Sequence, residues 1–187
     1  MNLFDQLVLL ATGLVAIYAI WMLMGRQKDE ATKHFANIYF MISFAVLLVS
    51  GLMLIALGWE ILGLLGHGSG TSRFVAVVAT LIPFSLATGL VSRFYPEHEK
   101  MYLSAMILGV VLIAVSRFTD MGTFAKIIYP IFHSIAGLTI FVIPIMEFKK
   151  GTMSKCFLWV TLGGTLIGLG GIALAFLTAG KQLLFFS

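Results

Sequence analysis

A single histidine in the middle of a long apolar segment is the residue best placed to do chemistry. His133 lies ten residues after Thr123, so on a helix that rises about 1.5 Å per residue it lies about 15 Å from the start of its segment. That depth is close to the midplane of a bilayer whose hydrocarbon core is about 30 Å thick. Tyr129 precedes His133 by four residues and shares its helix face. An ionisable group at this depth is a candidate functional residue, and we predict a ligand- or cofactor-binding site at His133 and Tyr129.

A purely structural role for His133 is the alternative interpretation. A neutral imidazole can hydrogen-bond a hydroxyl of a neighbouring helix and contribute only to packing. Nearby segments supply three candidate partners, Ser43, Ser85 and Thr88. The sequence is compatible with both interpretations.

A b-type haem is the most specific cofactor that a membrane histidine suggests. Two axial histidines must lie at nearly the same depth on facing helices, and none of the other three matches His133. His34 starts an apolar segment, His67 lies in a glycine-rich loop, and His98 lies in a charged turn. Haem would therefore need His133 and one of the ten methionines as ligands, which makes a lipid or a quinone the stronger prediction.

Neither a metal site nor a catalytic centre is predicted. Two glutamates and two histidines share one side of the predicted bundle, but their spacing matches no metal motif and suits a solvated loop. They are His34, Glu97, His98 and Glu99. Ser134 is adjacent to His133, so their side chains diverge by about 100° on a helix and cannot form a catalytic dyad. The lone Cys156 excludes an internal disulfide framework and has no catalytic partner nearby. An enzyme is the least favoured class.

The composition shows which elements must position these residues. Of the 187 residues, 60% are apolar and 11% are charged, whereas a soluble domain carries about 25% charged residues. Too few charges are present to cover a water-facing surface. The net charge of +4 does not predict nucleic-acid binding, because excess Lys and Arg in a membrane protein belongs to cytoplasmic loops. The chain is predicted to be an integral membrane protein.

The fold class predicted is all-α, a polytopic transmembrane bundle of six spanning helices with short loops, forming one domain over residues 1–187. A spanning helix needs about 20 mostly apolar residues. The segments that qualify are 4–24, 35–58, 74–95, 101–117, 124–146 and 154–178. The fourth is the shortest, and Arg117 is expected at its end or snorkelling there. Pro144 is expected to interrupt the fifth segment near its end.

Orientation follows from the distribution of Lys and Arg. The first, third and fifth loops contain eight of the twelve basic residues, and the opposite side contains four. The first set should be cytoplasmic, which places both termini outside a plasma (inner) membrane. A weak internal repeat also appears: Arg26-x-x-Asp29-x-x-Thr32 recurs as Arg117-x-x-Asp120-x-x-Thr123. With three helices in each half it would be an inverted repeat, a plan common in transporters.

The last segment contains the clearest packing pattern. Small residues recur along it at spacings of four, three and four, which lets another helix approach closely. They are Gly164, Gly168, Gly171 and Ala175. The third segment has a second small and polar face in Ser85, Thr88, Gly89 and Ser92, which could line a cavity or satisfy its own carbonyls.

The function favoured is a non-catalytic integral membrane subunit or binding module. It would pack with partner helices, as a homo-oligomer or within a larger complex, and hold a lipid, a quinone or a haem near His133. The alternative is a small passive channel or transporter for a neutral or weakly polar solute, because no carboxylate within a span is present to couple ions.

Overall fold

In a computed structural model of the protein, residues 2–58, 70–119 and 121–178 are described. The side chains of residues 70–76, 123, 126 and 170–178 fall outside this description. Within the described ranges every regular element is helical. The α-helices are α1 Leu3–Lys28, α2 Phe35–Leu57, α3 Gly70–Phe94, α4 Glu99–Phe118, α5 Thr123–Lys149 and α6 Leu158–Thr178. Short 3₁₀ turns at Pro96–His98 and Lys155–Phe157 precede α4 and α6.

Five of the described helices are long and apolar enough to cross a membrane, which confirms the all-α fold class for the described residues. They correspond to the first five predicted segments, and the helix ends fall within a few residues of the predicted ones. The qualifying stretches are Leu3–Lys28, Phe35–Leu57, Val77–Phe94, Pro96–Phe118 and Ile127–Lys149. In α6 the stretch that can be assessed, Lys155–Leu169, is shorter, so the sixth span stays a prediction.

The helices begin and continue for identifiable reasons. Asn2 and Asp5 form a reciprocal capping box at the start of α1. His34 caps α2, because its Nδ1 accepts a hydrogen bond from the Ala36 amide at 3.0 Å. The expectation that Pro144 interrupts its helix is wrong, since α5 continues to Lys149. A proline inside a membrane helix is tolerated where neighbouring groups satisfy the backbone carbonyls that it frees.

The chain divides into two compact units, Met1–Ala136 and Gly137–Ser187. In the first unit α2 packs against α1 and α3, and α3 packs against α4. Two glycines permit its closest helix approaches. A Cβ on Gly89 would lie 2.7 Å from Phe40 Cδ1, and one on Gly109 would lie 2.8 Å from Phe132 Cγ. The missing side chain of Gly89 therefore allows α2 to pack closely against α3, and that of Gly109 allows α5 to pack closely against α4.

The second unit contains the rest of α5 together with α6. Thr161 of α6 donates a hydrogen bond to the Phe141 carbonyl at 3.0 Å. Phe141 lies about one turn before Pro144, so this bond joins α6 to α5 beside the proline. A Cβ on Gly164 would lie 3.2 Å from Ile140 Cγ2, which makes this the tight point of the α5–α6 contact.

The single domain and the internal repeat stay predictions. Part of the first repeat copy forms the turn between α1 and α2, where the Thr32 hydroxyl donates to the Arg26 carbonyl at 2.9 Å and to Asp29 Oδ2 at 3.2 Å. In the second copy, Asp120 and the side chain of Thr123 lie outside the described residues.

Candidate functional site

The rotation of α5 is fixed by Phe132, the residue that precedes His133. The Phe132 ring lies against Gly109 of α4, and its centroid is 6.4 Å from that of Phe84 on α3. A large aromatic ring held between two helices leaves α5 little freedom to turn. Phe132 thereby determines which way the next residue, His133, points.

Three side chains from α4 and α5 form a stack that we call the aromatic ladder: Arg117, Tyr129 and His133. The rings of Tyr129 and His133 stack with centroids 5.5 Å apart and planes inclined by 16°. The Arg117 guanidinium carbon lies 5.7 Å from the centroid of the Tyr129 ring, within the range of a cation–π contact. The ladder thus extends inward from the end of α4 along α5.

Arg117 lies at the end of α4, one of the two positions predicted for it, and its guanidinium contacts the Tyr129 ring. Side chains on an α-helix lean toward its N-terminus. Arg117 is in the last turn of α4, so its side chain leans back along the helix, away from the turn between α4 and α5. Tyr129 lies on the following helix, which runs in the opposite direction, and leans toward that turn. The two side chains therefore meet.

Two nitrogens of the ladder are buried without a hydrogen-bond partner among the described residues, Arg117 Nε and His133 Nδ1. Buried polar atoms are nearly always paired, since an unpaired one carries the full desolvation penalty. Both exceptions occur in the same stack of three side chains. The ladder therefore holds two buried polar nitrogens that the described groups of the protein leave unpaired.

The hydroxyls that were candidate partners for His133 are all directed elsewhere. Ser43 donates across the helix contact to the Ile82 carbonyl at 2.8 Å. Thr88 donates to the Phe84 carbonyl at 2.7 Å, and Ser85 donates to the Leu81 carbonyl. None of these bonds involves His133, so the interpretation of His133 as a histidine hydrogen-bonded to one of these hydroxyls is not met in the described part of the chain.

The small and polar face of α3 is packed against other helices. Gly89 lies against the Phe40 ring, and Thr88 and Ser92 are fully buried. Ser85 and Thr88 donate to carbonyls of their own helix, as one of the two interpretations of this face predicted, whereas Ser92 donates to Glu99.

A second polar cluster, which we call the Glu99 clamp, comprises Tyr39, Ser92 and Glu99. The Tyr39 hydroxyl of α2 donates to Glu99 Oε1 at 3.1 Å, and the Ser92 hydroxyl of α3 donates to Glu99 Oε2 at 2.8 Å. One carboxylate at the start of α4 thus joins three helices. A carboxylate in the first turn is also favoured by the helix dipole. Sequence reasoning missed this cluster, because Tyr39 and Glu99 are 60 positions apart.

His34 and His98 do not approach the ladder. Tyr39 and Glu99 bring the starts of α2 and α4 together, so His34, which caps α2, and His98, which precedes α4, lie at the end of the unit opposite to Arg117. His67 lies outside the described residues. Among the described residues no three His, Cys, Asp or Glu side chains come together as metal ligands would.

Sequence reasoning also missed Glu147, a buried carboxylate at the end of α5. Its Oε1 accepts from Lys150 Nζ at 2.7 Å, and its Oε2 accepts from the Thr152 hydroxyl at 2.7 Å. Thr152 additionally donates to the Glu147 backbone carbonyl at 2.8 Å. These bonds close the end of the helix, and the pairing suits a structural role.

The predicted glycine stripe is described only in part. Gly164 contacts Ile140 as stated above, whereas a Cβ on Gly168 would meet no atom within 4 Å. The side chain of Ala175, like the position of a Cβ on Gly171, falls outside the described set. The stripe as a helix-packing surface stays a prediction. Cys156 is exposed and unpaired.

An apolar groove between α1 and α2 has a volume of about 290 Å³ and lies apart from the ladder. Its lining is leucine-rich, and Thr12 and Ser50 are its polar side chains. Thr12 donates to the Val8 carbonyl of its own helix at 2.8 Å. The groove suits a lipid acyl chain in a bilayer, and it presents no group that could fix a ligand's orientation.

No family model, curated protein or solved structure matches the chain.

Proposed function

We propose that the protein is a non-catalytic integral membrane subunit or binding module that holds a hydrophobic ligand beside His133. The observation that carries the proposal is the pair of buried, unpartnered nitrogens, Arg117 Nε and His133 Nδ1, on the aromatic ladder. A ligand with oxygen atoms at these two nitrogens would remove both desolvation penalties at once.

The position of the ladder supports a ligand that is itself at home in a bilayer. Its residues lie on α4 and α5, both of which contain stretches long and apolar enough to cross a membrane. Large apolar side chains are exposed along both helices, among them Ile107, Val111, Ile131 and Ile135. A lipid or a quinone reaches such a surface by lateral diffusion. Haem is the weaker candidate, because His34 and His98 are at the other end of the unit.

The wider arrangement proposed is a six-span protein of the plasma (inner) membrane with both termini outside. The distribution of Lys and Arg supports this orientation, with eight residues on the loops assigned to the cytoplasm and four opposite. A homo-oligomer or a larger membrane complex is proposed for the assembly, because small residues at helical spacing on α6 favour close helix contacts. A small passive channel or transporter for a neutral or weakly polar solute stays the alternative proposal.

The test of the proposal is the ligand content of the purified protein. Wild type, His133→Leu and Ser134→Ala would be purified in a mild detergent, and co-purified molecules identified by mass spectrometry with an absorbance spectrum. Ser134 is the matched control, because it is the exposed neighbour of His133 on α5. We expect a ligand in wild type and in Ser134→Ala, and its loss in His133→Leu. Equal ligand content in all three proteins would contradict the proposal.

The orientation has its own test, cysteine labelling with a membrane-impermeant reagent in intact cells. In a Cys156→Ser background, Lys28→Cys and Lys149→Cys should be protected, and Ser69→Cys should label. The reversed pattern would overturn the orientation and leave the ligand proposal untouched.

A further inference from the structure

The aromatic ladder contains a cation for which no counter-charge is described. No carboxylate of the described residues lies within 4 Å of the Arg117 guanidinium, although such pairs occur at Lys33–Glu30 and Lys150–Glu147. Asp120, three positions along the chain, is outside the described residues. Arginine stays charged at any ordinary pH. A buried face of a charged guanidinium near apolar helices is unfavourable unless a negative group compensates it.

The geometry of the guanidinium selects the chemistry of the missing partner. One face of the Arg117 side chain rests on the Tyr129 ring, and Nε is buried toward the protein. A guanidinium presents planar, forked donors that match the oxygens of a phosphate or a carboxylate. A neutral carbonyl, such as that of a quinone, accepts a hydrogen bond but leaves the charge uncompensated. An anionic oxygen group is therefore the better match.

The order of the groups along the helices indicates how the rest of the ligand lies. The Arg117 guanidinium contacts Tyr129, which lies four residues, or about 6 Å, nearer to the start of α5 than His133. A charged group at one level and a polar contact about one helical turn deeper match the headgroup and the next oxygen of an acyl-chain amphiphile. A free inorganic anion would have nothing to place at His133.

We infer that Arg117 binds the anionic headgroup of an acyl-chain amphiphile, a phosphate or a carboxylate, and that His133 hydrogen-bonds a second oxygen of the same molecule. The inference rests on the proposed function and assigns its ligand class. Tyr129 holds the two groups in line by stacking on both of them.

The experiment compares lipids of different charge on the delipidated protein in a neutral maltoside detergent. Phosphatidylglycerol, phosphatidylcholine, N-oleoylglycine and inorganic phosphate would each be titrated, with binding followed by native mass spectrometry and thermal unfolding. N-oleoylglycine carries a carboxylate and, as its second oxygen, an amide carbonyl. We expect phosphatidylglycerol or N-oleoylglycine to bind at least tenfold more tightly than phosphatidylcholine, and inorganic phosphate to have no effect. A preference for N-oleoylglycine would assign a carboxylate, and a preference for phosphatidylglycerol would assign a phosphate; either outcome supports the inference.

The variants separate the ladder from general attraction of anionic lipids to a basic protein. Arg117→Gln should lower the affinity for the anionic amphiphile about tenfold, equivalent to about 1.4 kcal/mol. Arg93→Gln is the matched control, because Arg93 is an exposed arginine in the last turn of α3, and it should retain the affinity. Equal binding of charged and neutral lipids by wild type, or an unchanged preference in Arg117→Gln, would overturn the inference.

A measurement on wild type keeps the test independent of how well Arg117→Gln folds. Phenylglyoxal modifies accessible arginines, and the modified sites can be mapped by peptide mass spectrometry. The anionic amphiphile should protect Arg117 and leave Arg93 reactive, whereas phosphatidylcholine should protect neither. Absence of protection at Arg117 would overturn the inference.

The failure of this inference is distinguishable from failure of the proposed function. A co-purified neutral quinone that is lost in His133→Leu, with no preference for anionic lipid, would overturn the inference and support the binding module. A preference that appears only in Asp120→Asn would show that Asp120 neutralises Arg117, and would also overturn it. No ligand of any class and no dependence on His133 would defeat both.

Discussion

Each end of α4 contributes to a cluster of three polar side chains. The carboxylate of one cluster is fully hydrogen-bonded, whereas the other cluster contains unpaired nitrogens. At the start of α4, Glu99 accepts hydrogen bonds from Tyr39 and Ser92, and both carboxylate oxygens are used. At its end, Arg117 and His133 both contact the Tyr129 ring, and a buried nitrogen of each lacks a partner among the described residues. One cluster is internally complete and the other is not.

The difference shows how a structural polar group can be told from one that binds a ligand inside an apolar protein. Burial of a polar atom is unfavourable in either case, but the hydrogen bonds of the Glu99 clamp compensate it within the fold. In the aromatic ladder the same compensation has to come from another molecule. Loss of a clamp residue should therefore destabilise the protein, whereas loss of a ladder residue should change what it binds.

The largest effect is expected from breaking the contact that supports the ladder. In Gly109→Ala the new methyl group would lie 2.8 Å from Phe132 Cγ, and displacement of this core ring should lower the free energy of unfolding by up to about 3 kcal/mol. Unfolding by SDS titration measures the change. Gly51→Ala is the control, since its methyl group would meet no atom within 4 Å. Equal stability of the two variants would show that α5 is not held by this contact.

A smaller loss of stability is expected when the Glu99 clamp is broken. Glu99→Ala removes the acceptor of two interhelical hydrogen bonds, and we expect a loss of about 1–2 kcal/mol in the same SDS titration. Glu97→Ala is the control, because the Glu97 side chain is mostly exposed and its contact with His98 is long, at 3.8 Å. The comparison breaks down if Glu97→Ala is as destabilising as Glu99→Ala.

A substitution in the aromatic ladder should raise the free energy of unfolding. His133→Leu removes an unpartnered buried nitrogen and introduces an apolar side chain of similar volume. The free energy of unfolding of the delipidated protein should therefore rise by up to about 1 kcal/mol. The same variant should no longer retain the ligand. A loss of stability comparable to that of Glu99→Ala would place His133 among the structural residues and remove the distinction between the two clusters.

The smallest effects concern the second unit, where the comparison can be extended to α6. Gly164→Ala should cost a few tenths of a kcal/mol, because its methyl group would press on Ile140 at 3.2 Å. Gly168→Ala should leave the single chain unchanged, since no atom lies within 4 Å. If Gly168 faces a second copy, Gly168→Leu should reduce the oligomer seen by analytical ultracentrifugation. An unchanged sedimentation profile would exclude that interface.

The helices were predictable from hydropathy because each of the five apolar segments is bounded by charged or helix-breaking residues. The proximity of Tyr129 and His133 was predictable too, since residues four apart share a helix face. Pro144 was misjudged because a proline inside a membrane helix removes one backbone hydrogen bond, to the carbonyl four residues earlier, and the helix can continue past it.

The role of Arg117 could not be predicted, because it depends on the register of α4 against α5. That register is set by the fit of Phe132 into the space left by Gly109, which hydropathy does not record. The Glu99 clamp was hidden for the same reason, since it depends on the meeting of α2, α3 and α4 at one end. The polar residues could be listed from the sequence, but their pairing required the three-dimensional contacts.

The anchoring of α4 at both of its ends has a consequence for the membrane around it. The helix has 20 residues and is therefore about 30 Å long, close to the hydrocarbon thickness of a bilayer. Glu99 is bonded to α2 and α3 at one end and Arg117 rests on α5 at the other, so α4 cannot slide past its neighbours to adjust its depth. In a thicker or thinner bilayer the mismatch must be absorbed by the lipid or by tilting of the surrounding helices with α4. The protein should therefore favour membranes of one thickness, and its thermal stability in lipid vesicles should be greatest at one acyl-chain length.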